Sequence, residues 1–212
     1  MTSEHIENSI SKALKGELNL TQEILNIRGF STATIRRLFN CLCDTAESIT
    51  YLEVGLFAGA SFCSSFNKNC TSIGIEDHSQ DFSAGFDQVK KELKENVDKF
   101  SDKAKEVHVH YVDCFKMDKS VLPKIDILYY DGEHSFENTA KSLPAFIDVL
   151  ADKAIVIYDD VSWTPVWQGI DKALSDLKDK IKVEKVWVLR GYYPENDSIW
   201  WNGINIYLIN KK

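Results

Sequence analysis

The sequence predicts an α/β fold, a doubly wound, mostly parallel seven-stranded sheet that closes on a C-terminal antiparallel hairpin and carries helices at its N-terminus. Three observations lead there. From about residue 49 onward, short apolar runs alternate with helical patterns, as strand–helix–strand crossovers require. The last two runs are joined by GYYPENDSIWWN, which lacks helical periodicity, so they pair antiparallel. Ahead of residue 48 there is an apolar stripe at helical spacing and no strand-like run.

In chain order, Ile35, Leu38, Phe39, Leu42, Cys43 and Ala46 form that first stripe. It belongs to a helical extension over residues 1–48, packed on the sheet or over its ligand edge, and the domain proper spans 49–212. The strands are SITYLEVG, CTSIGIED, EVHVHYVD, KIDILYYDG, KAIVIYDDV, KVEKVWVLR and GINIYLIN, short apolar runs of the kind that a sheet buries on both faces. Between the second and third, Phe82, Phe86, Val89, Leu93, Val97 and Phe100 mark one helix. HSFENTAKSLPAFIDVL supplies another, with Pro144 opening a new turn or kinking it. Ile170, Ala173, Leu174, Leu177 and Ile181 mark a third, between the fifth and sixth strands.

Bulk properties bound the function. A chain of 212 residues, 44% hydrophobic and 27% charged, can build one full core. A net charge of −7 argues against nucleic acid, whose binding depends on neutralising many phosphates. No run approaches the roughly 18 to 20 apolar residues of a membrane span, and MTSEHIENSI has neither the basic nor the apolar part of a secretion signal. The expectation is a cytoplasmic protein without membrane contact, whose N-terminal helices offer a surface for a possible homodimer. Cys41, Cys43, Cys63, Cys70 and Cys114 are odd in number and lack a C-x-x-C pair, so they read as buried thiols.

The candidate chemistry sits where strands end. In EVGLFAGAS, Glu53, Gly55 and Gly59 precede small residues that open a helix; glycines there let the backbone turn sharply and approach a ligand. GIEDH places Glu76 about twenty residues further on, the spacing at which an acidic side chain meets ribose hydroxyls in nucleotide-binding units. YVDC places Asp113 and Cys114 at the edge of the third strand. A tight turn and a helix cap are the plain alternatives for these glycines and for Asp113.

YLEVGLFAGAS, GIED, YYDGEHSFE and IVIYDD, in this order over about residues 49–160, resemble class I S-adenosylmethionine-dependent methyltransferases, and within them the macrocin O-methyltransferase-like group. The resemblance implies a Rossmann-like methyltransferase fold and a cofactor bordered by Glu53, Gly55, Gly59, Ser61, Glu76, Asp77, Asp113, Cys114 and Asp131. Glu133 and Phe136 depart from that group's usual Asp and Tyr.

Asp131 ends the fourth strand and Asp159 with Asp160 the fifth, so three carboxylates should converge on one edge. Close anions raise one another's pKa values unless compensated, and Mg²⁺ with its preference for oxygen ligands would compensate them; the resemblance implies the same metal set, Asp131, Asp159 and Asp160. Asp131 or His134 would then take a proton from the acceptor. Trp163, Trp167, Tyr192, Tyr193, Trp200 and Trp201 suggest stacking against planar rings or sugar faces, or packing of the N-terminal helices. The expected activity is O-methylation of a small molecule or glycan. The competing readings are a non-catalytic cofactor-binding module and a cephalosporin hydroxylase-like iron oxygenase, which needs two histidines and a carboxylate. A nicotinamide enzyme would need G-x-G-x-x-G after the first strand, where GLFAG stands.

Overall fold

A computed structural model describes residues 1–17, 20–78, 86–191 and 199–212. Helix α1 (Ser3–Lys15) starts at Thr2, whose hydroxyl accepts the His5 N–H, and stops at Gly16 in the left-handed conformation. A one-turn α2 (Gln22–Leu25) follows, then α3 (Ala33–Cys43), capped by Thr32. The remaining order is β1 (Ile49–Val54), α4 (Ala60–Ser64), β2 (Cys70–Ile75), α5 (Phe86–Phe100), β3 (Glu106–His110), β4 (Ile125–Tyr130), α6 (Phe136–Phe146), β5 (Leu150–Tyr158), α7 (Thr164–Asp176), β6 (Ile181–Leu189) and β7 (Ile204–Lys211).

The strands form one sheet in the order β3-β2-β1-β4-β5-β7-β6. Strands β1 to β5 pair parallel, and β7 runs antiparallel to both β5 and β6. The strands are added outward in one direction from β1 to β3 and in the other from β4 on, so the gap between the parallel β1 and β4 is the switch point beside which α/β sheets bind ligands. Successive side chains point to opposite faces. Tyr51 and Tyr129 enter the core under the N-terminal helices, while Leu52, Val54, Leu128 and Tyr130 enter the core under α6 and α7. Phe39 of α3 stacks 4.5 Å from Tyr129 and 6.1 Å from Tyr51, so these helices cover a sheet face and share its core. Each fully buried phenylalanine contributes about 1.5–3 kcal/mol by leaving water.

All seven strands stand where the apolar runs place them. Two stripes end earlier than their periodicity suggests: Ala46 lies beyond α3, and α7 stops at Asp176, so Leu177 follows it and Ile181 opens β6. Both Leu177 and Ile181 enter the core under α7, which is why the apolar spacing runs on through the turn. Phe82 lies outside the described residues, as do Tyr192 and Tyr193. All five cysteines are free and buried. No helix among the described residues is long and apolar enough to cross a membrane.

Candidate active site

The carboxyl ends of β1 and β4 meet at the switch point. Gly55, at φ +87°, presses so closely on the next strand's end that a Cβ there would lie 2.0 Å from the Asp131 carbonyl oxygen. Only glycine tolerates both the left-handed backbone and that approach. Asp131 N–H donates to Val54 O at 2.9 Å and Gly55 N–H to Ile75 O at 2.9 Å, so the turn is fastened from both neighbouring strands.

The loop from Gly55 to Gly59 is held by Glu76. One of its carboxylate oxygens accepts the N–H groups of Leu56 (2.8 Å) and Phe57 (2.9 Å), and the other accepts that of His78 (2.8 Å). This holds Phe57 in its left-handed conformation, φ +49°. Gly59, also at φ +87°, turns the chain into α4 without a side-chain cap.

Glu53 lies beneath this loop, fully buried, with its carboxyl oxygens taking the Tyr51 hydroxyl at 2.6 Å and the Ser61 hydroxyl at 2.5 Å. Burial pushes its pKa up to about 8, against those two hydrogen bonds. Ser61 therefore reaches inward to Glu53 from the cavity wall, while Glu53 and Gly59 are not on that wall.

The ends of β2 and β3 form the next stretch of wall, with Asp77, His78, Asp113 and Cys114. Asp113 behaves as a turn former: its carboxylate accepts the Phe115 N–H at 2.8 Å and pairs with Lys116 at 3.1 Å. The Phe115 N–H, above all, holds its pKa below the usual carboxylate range. Burial pushes the Cys114 thiol up to about 12, so it contributes shape and no thiolate. The His78 ring stacks on Tyr111 at 5.6 Å.

The chemistry gathers at the ends of β4 and β5. His134, just ahead of Ser135, the N-cap of α6, lies with Nε2 3.5 Å from Asp131 Oδ1 and 3.9 Å from Asp160 Oδ2. These are ion-pair distances, too long for good hydrogen bonds. Burial alone would lower the His134 pKa, but Asp131 and then Asp160 outweigh it and the net direction is upward. Tyr129 donates its hydroxyl to Asp131 Oδ2 at 3.2 Å.

Asp159 is buried, and desolvation followed by the neighbouring Asp131 and Asp160 carboxylates raises its pKa well above the ordinary value. Asp160 is raised chiefly by burial, with His134 opposing and Asp131 adding to the rise. Its backbone is left-handed, φ +52°, a conformation that costs a non-glycine residue about 1–3 kcal/mol. The last hairpin offsets that cost: Val161 N–H donates to Gly203 O at 3.3 Å and Ser162 N–H to Asn202 O at 3.0 Å. The nearby Asn202 side chain works against the rise in the Asp160 pKa.

One cavity of about 1290 Å³ joins these parts, bordered by the glycine loop, Glu76, Asp77, Asp113, Cys114, Asp131, His134, Asp159 and Asp160. The expected carboxylates do converge on one rim of the sheet. Of the aromatics expected there, Trp163 and Trp201 reach the wall, Trp200 is buried in the core, and Trp167 is exposed on α7.

The wall also holds Gly29, Phe30, Ser31 and Asn202, which the sequence reading did not single out. RGFS, between two helical stretches, carries no chemical motif. A polar Asn between Trp201 and Gly203, at the head of an apolar strand, was the one signal for Asn202.

The donor chemistry of the carboxylate end fits a hard divalent cation, because Asp159 and Asp160 each bury an Oδ1 without a hydrogen-bond partner. Yet among the described residues no group of three His, Cys, Asp or Glu side chains is arranged as a metal site; His134 stands within 4 Å of both Asp131 and Asp160. A two-histidine iron site finds no second histidine beside His134 among the described residues: His78 is held by Glu76, and His108 and His110 lie in β3.

A family model described as a methyltransferase domain matches residues 52–161. Among curated proteins none matches. Among solved structures, the O-methyltransferase TomG from Streptomyces achromogenes, involved in tomaymycin synthesis and in complex with SAM, aligns with a TM-score of 0.61 at 12% identity, covering 99% of this chain and 91% of that chain. The O-methyltransferase from Bacillus cereus in complex with SAH aligns at 0.57 and 11% identity, covering 99% and 92%. Cofactor-bound Rv0187 from MTB aligns at 0.61 and 12%, covering 98% and 90%. At such identities the likeness is one of fold.

Proposed function

The chain belongs to the methyltransferase domain family, and from that premise we propose that it moves a methyl group from S-adenosylmethionine to a hydroxyl oxygen of a small molecule or glycan. The observation that carries this reading is the single cavity onto which the Glu76-held glycine loop and the Asp131–His134–Asp160 group both open. The DGEH run favours the macrocin-like branch of the family, and the two O-methyltransferases named above agree with oxygen as the acceptor atom.

S-adenosylmethionine supplies a methyl group already activated on a sulfonium, so the chain's own task is alignment and proton removal. Gly55 keeps Cβ bulk away from the end of β4, and Glu76 fixes the Leu56 and Phe57 amides at the wall. Asp77, Asp113 and Cys114 shape the part of the cavity where the adenosine would rest. Asp131, part-exposed on the cavity wall, would receive the acceptor hydroxyl's proton, and His134, whose Nε2 is buried 3.5 Å from Asp131 Oδ1 and 3.9 Å from Asp160 Oδ2, would back it. Asp131, Asp159 and Asp160 are the residues whose oxygens would meet a bound Mg²⁺, although their side chains as they stand do not form a metal site. When bound, that ion lowers the pKa of a hydroxyl near it and fixes its position.

The test is transfer of a ¹³C-labelled methyl group from S-adenosylmethionine to a panel of phenols and glycosides, read by NMR of the products. An O-methyl ether is expected, with kcat falling by about 10²–10⁴ in Asp131→Asn. Methylation at nitrogen or sulfur, or an Asp131→Asn variant as fast as the parent, contradicts the proposal.

A further inference from the structure

Resting on the methyl-transfer reading, we propose that Ser31, backed by the buried guanidinium of Arg36, seats the carboxylate of the cofactor's methionine part. Ser31 borders the cavity, and its Oγ accepts the Arg36 Nε–H at 3.0 Å. Accepting that bond leaves the Ser31 hydroxyl proton to be donated, and among the described residues nothing takes it. A guanidinium donor also polarises the hydroxyl, which makes it a stronger donor toward an anion in the cavity.

Arg36 is only 4% exposed, and its remaining hydrogen bonds run from Nη1 to Leu25 O at 2.7 Å and to Ile27 O at 2.8 Å. Among the described residues it pairs with no carboxylate. Neutral oxygens satisfy its protons without cancelling its charge, and burial accordingly lowers its pKa. A buried cation without a counter-ion is costly, so an anion arriving at the adjoining wall is favoured. That wall is thin: a Cβ on Gly29, which borders the cavity, would lie 3.4 Å from Arg36 Nη2.

The place of this wall selects the ligand group. Gly29 is pressed onto the start of α4, since a Cβ there would also lie 2.6 Å from Ala60 Cβ. The Arg36-backed wall therefore adjoins the glycine loop that follows β1, whereas Asp77, Asp113 and Cys114, at the adenosine part, follow β2 and β3. Asp77, Asp113, Asp131, Glu133 and Asp160 make the rest of the wall acidic, and a carboxylate placed there would meet like charge. The same acidity suits the cofactor's sulfonium and ammonium. Of the lysines on the wall, Lys116 is engaged with Asp113 at 3.1 Å, and Lys141 belongs to α6, which covers the opposite face of the sheet from α3.

The experiment titrates S-adenosylmethionine and decarboxylated S-adenosylmethionine, which keeps the sulfonium and the adenosine, into the wild type, Ser31→Ala and Ser31→Thr by calorimetry. The wild type should bind S-adenosylmethionine at least about tenfold more tightly than the decarboxylated compound. In Ser31→Ala the first affinity should fall about tenfold while the second changes by less than about twofold, and Ser31→Thr should return the first to within about threefold of the parent. Arg36→Met should equalise the two ligands in the same way; if that variant does not fold, the Ser31 variants decide. A wild type that binds both compounds alike, or a Ser31→Ala variant that weakens both alike or neither, overturns the carboxylate seat and leaves the methyl-transfer reading standing. A wild type that binds neither compound overturns both.

Discussion

Fully buried, with the hydroxyls of Tyr51 and Ser61 as its partners, Glu53 is set by its surroundings to keep its proton near neutral pH. Its folded pKa of about 8 lies above the ordinary 4.5, so its contribution to stability is fully present below 4.5 and is lost as pH rises through 8. Urea unfolding of the wild type and of Glu53→Gln at several pH values checks this. The stability of the wild type relative to the variant should decline by up to about 1.4 kcal/mol per pH unit across that window, whereas a constant difference means that Glu53 titrates normally. Residue types at strand ends were readable from sequence, but their orientation was not. Both Glu53 and Asp131 end strands that meet at the switch point, yet Glu53 points under the glycine loop to Tyr51 and Ser61 while Asp131 opens onto the cavity.

At the level of elements, two helices hold the loop that presents His134. α6 begins at Ser135, directly after it, and α7 packs against α6 through Gly169. A Cβ at 169 would lie 2.6 Å from Thr139 Cβ and 2.9 Å from the Phe136 carbonyl oxygen, the latter in the first turn of α6. Gly169→Val should therefore destabilise the fold by about 1–3 kcal/mol and lower turnover as well, since the displaced turn adjoins His134. Thermal unfolding together with kcat tests this, and a variant as stable as its parent rules out the tight crossing. The elements themselves were legible because apolar runs such as IDILYY have no solvated face. The end of α7 was not, because Leu177 and Ile181 serve the same core on either side of a turn.

For the molecule as a whole, strand order decides function. The order β3-β2-β1-β4-β5-β7-β6 brings the ends of β1, β2, β4 and β5 to one rim, so Gly55, Glu76, Asp131 and Asp160 become neighbours although scattered through the chain. That convergence followed from the alternation of strands and helices. The place of residues 29–31 and 201–202 on the cavity wall did not, because it depends on contacts such as Thr32 to Ile199, 167 residues apart, between segments without periodicity or motif. A net charge of −7 suits a protein whose site already concentrates carboxylates and whose proposed cofactor carries a sulfonium.

The central claim is that the Glu76-held glycine loop forms a cofactor site. Calorimetric titration of S-adenosylmethionine into the wild type and Glu76→Ala tests it most directly. The account predicts saturable binding by the wild type and an affinity at least about tenfold lower in the variant, from the loss of charged hydrogen bonds at the wall. A wild type that takes up no S-adenosylmethionine, or a variant that binds it equally well, would contradict the account.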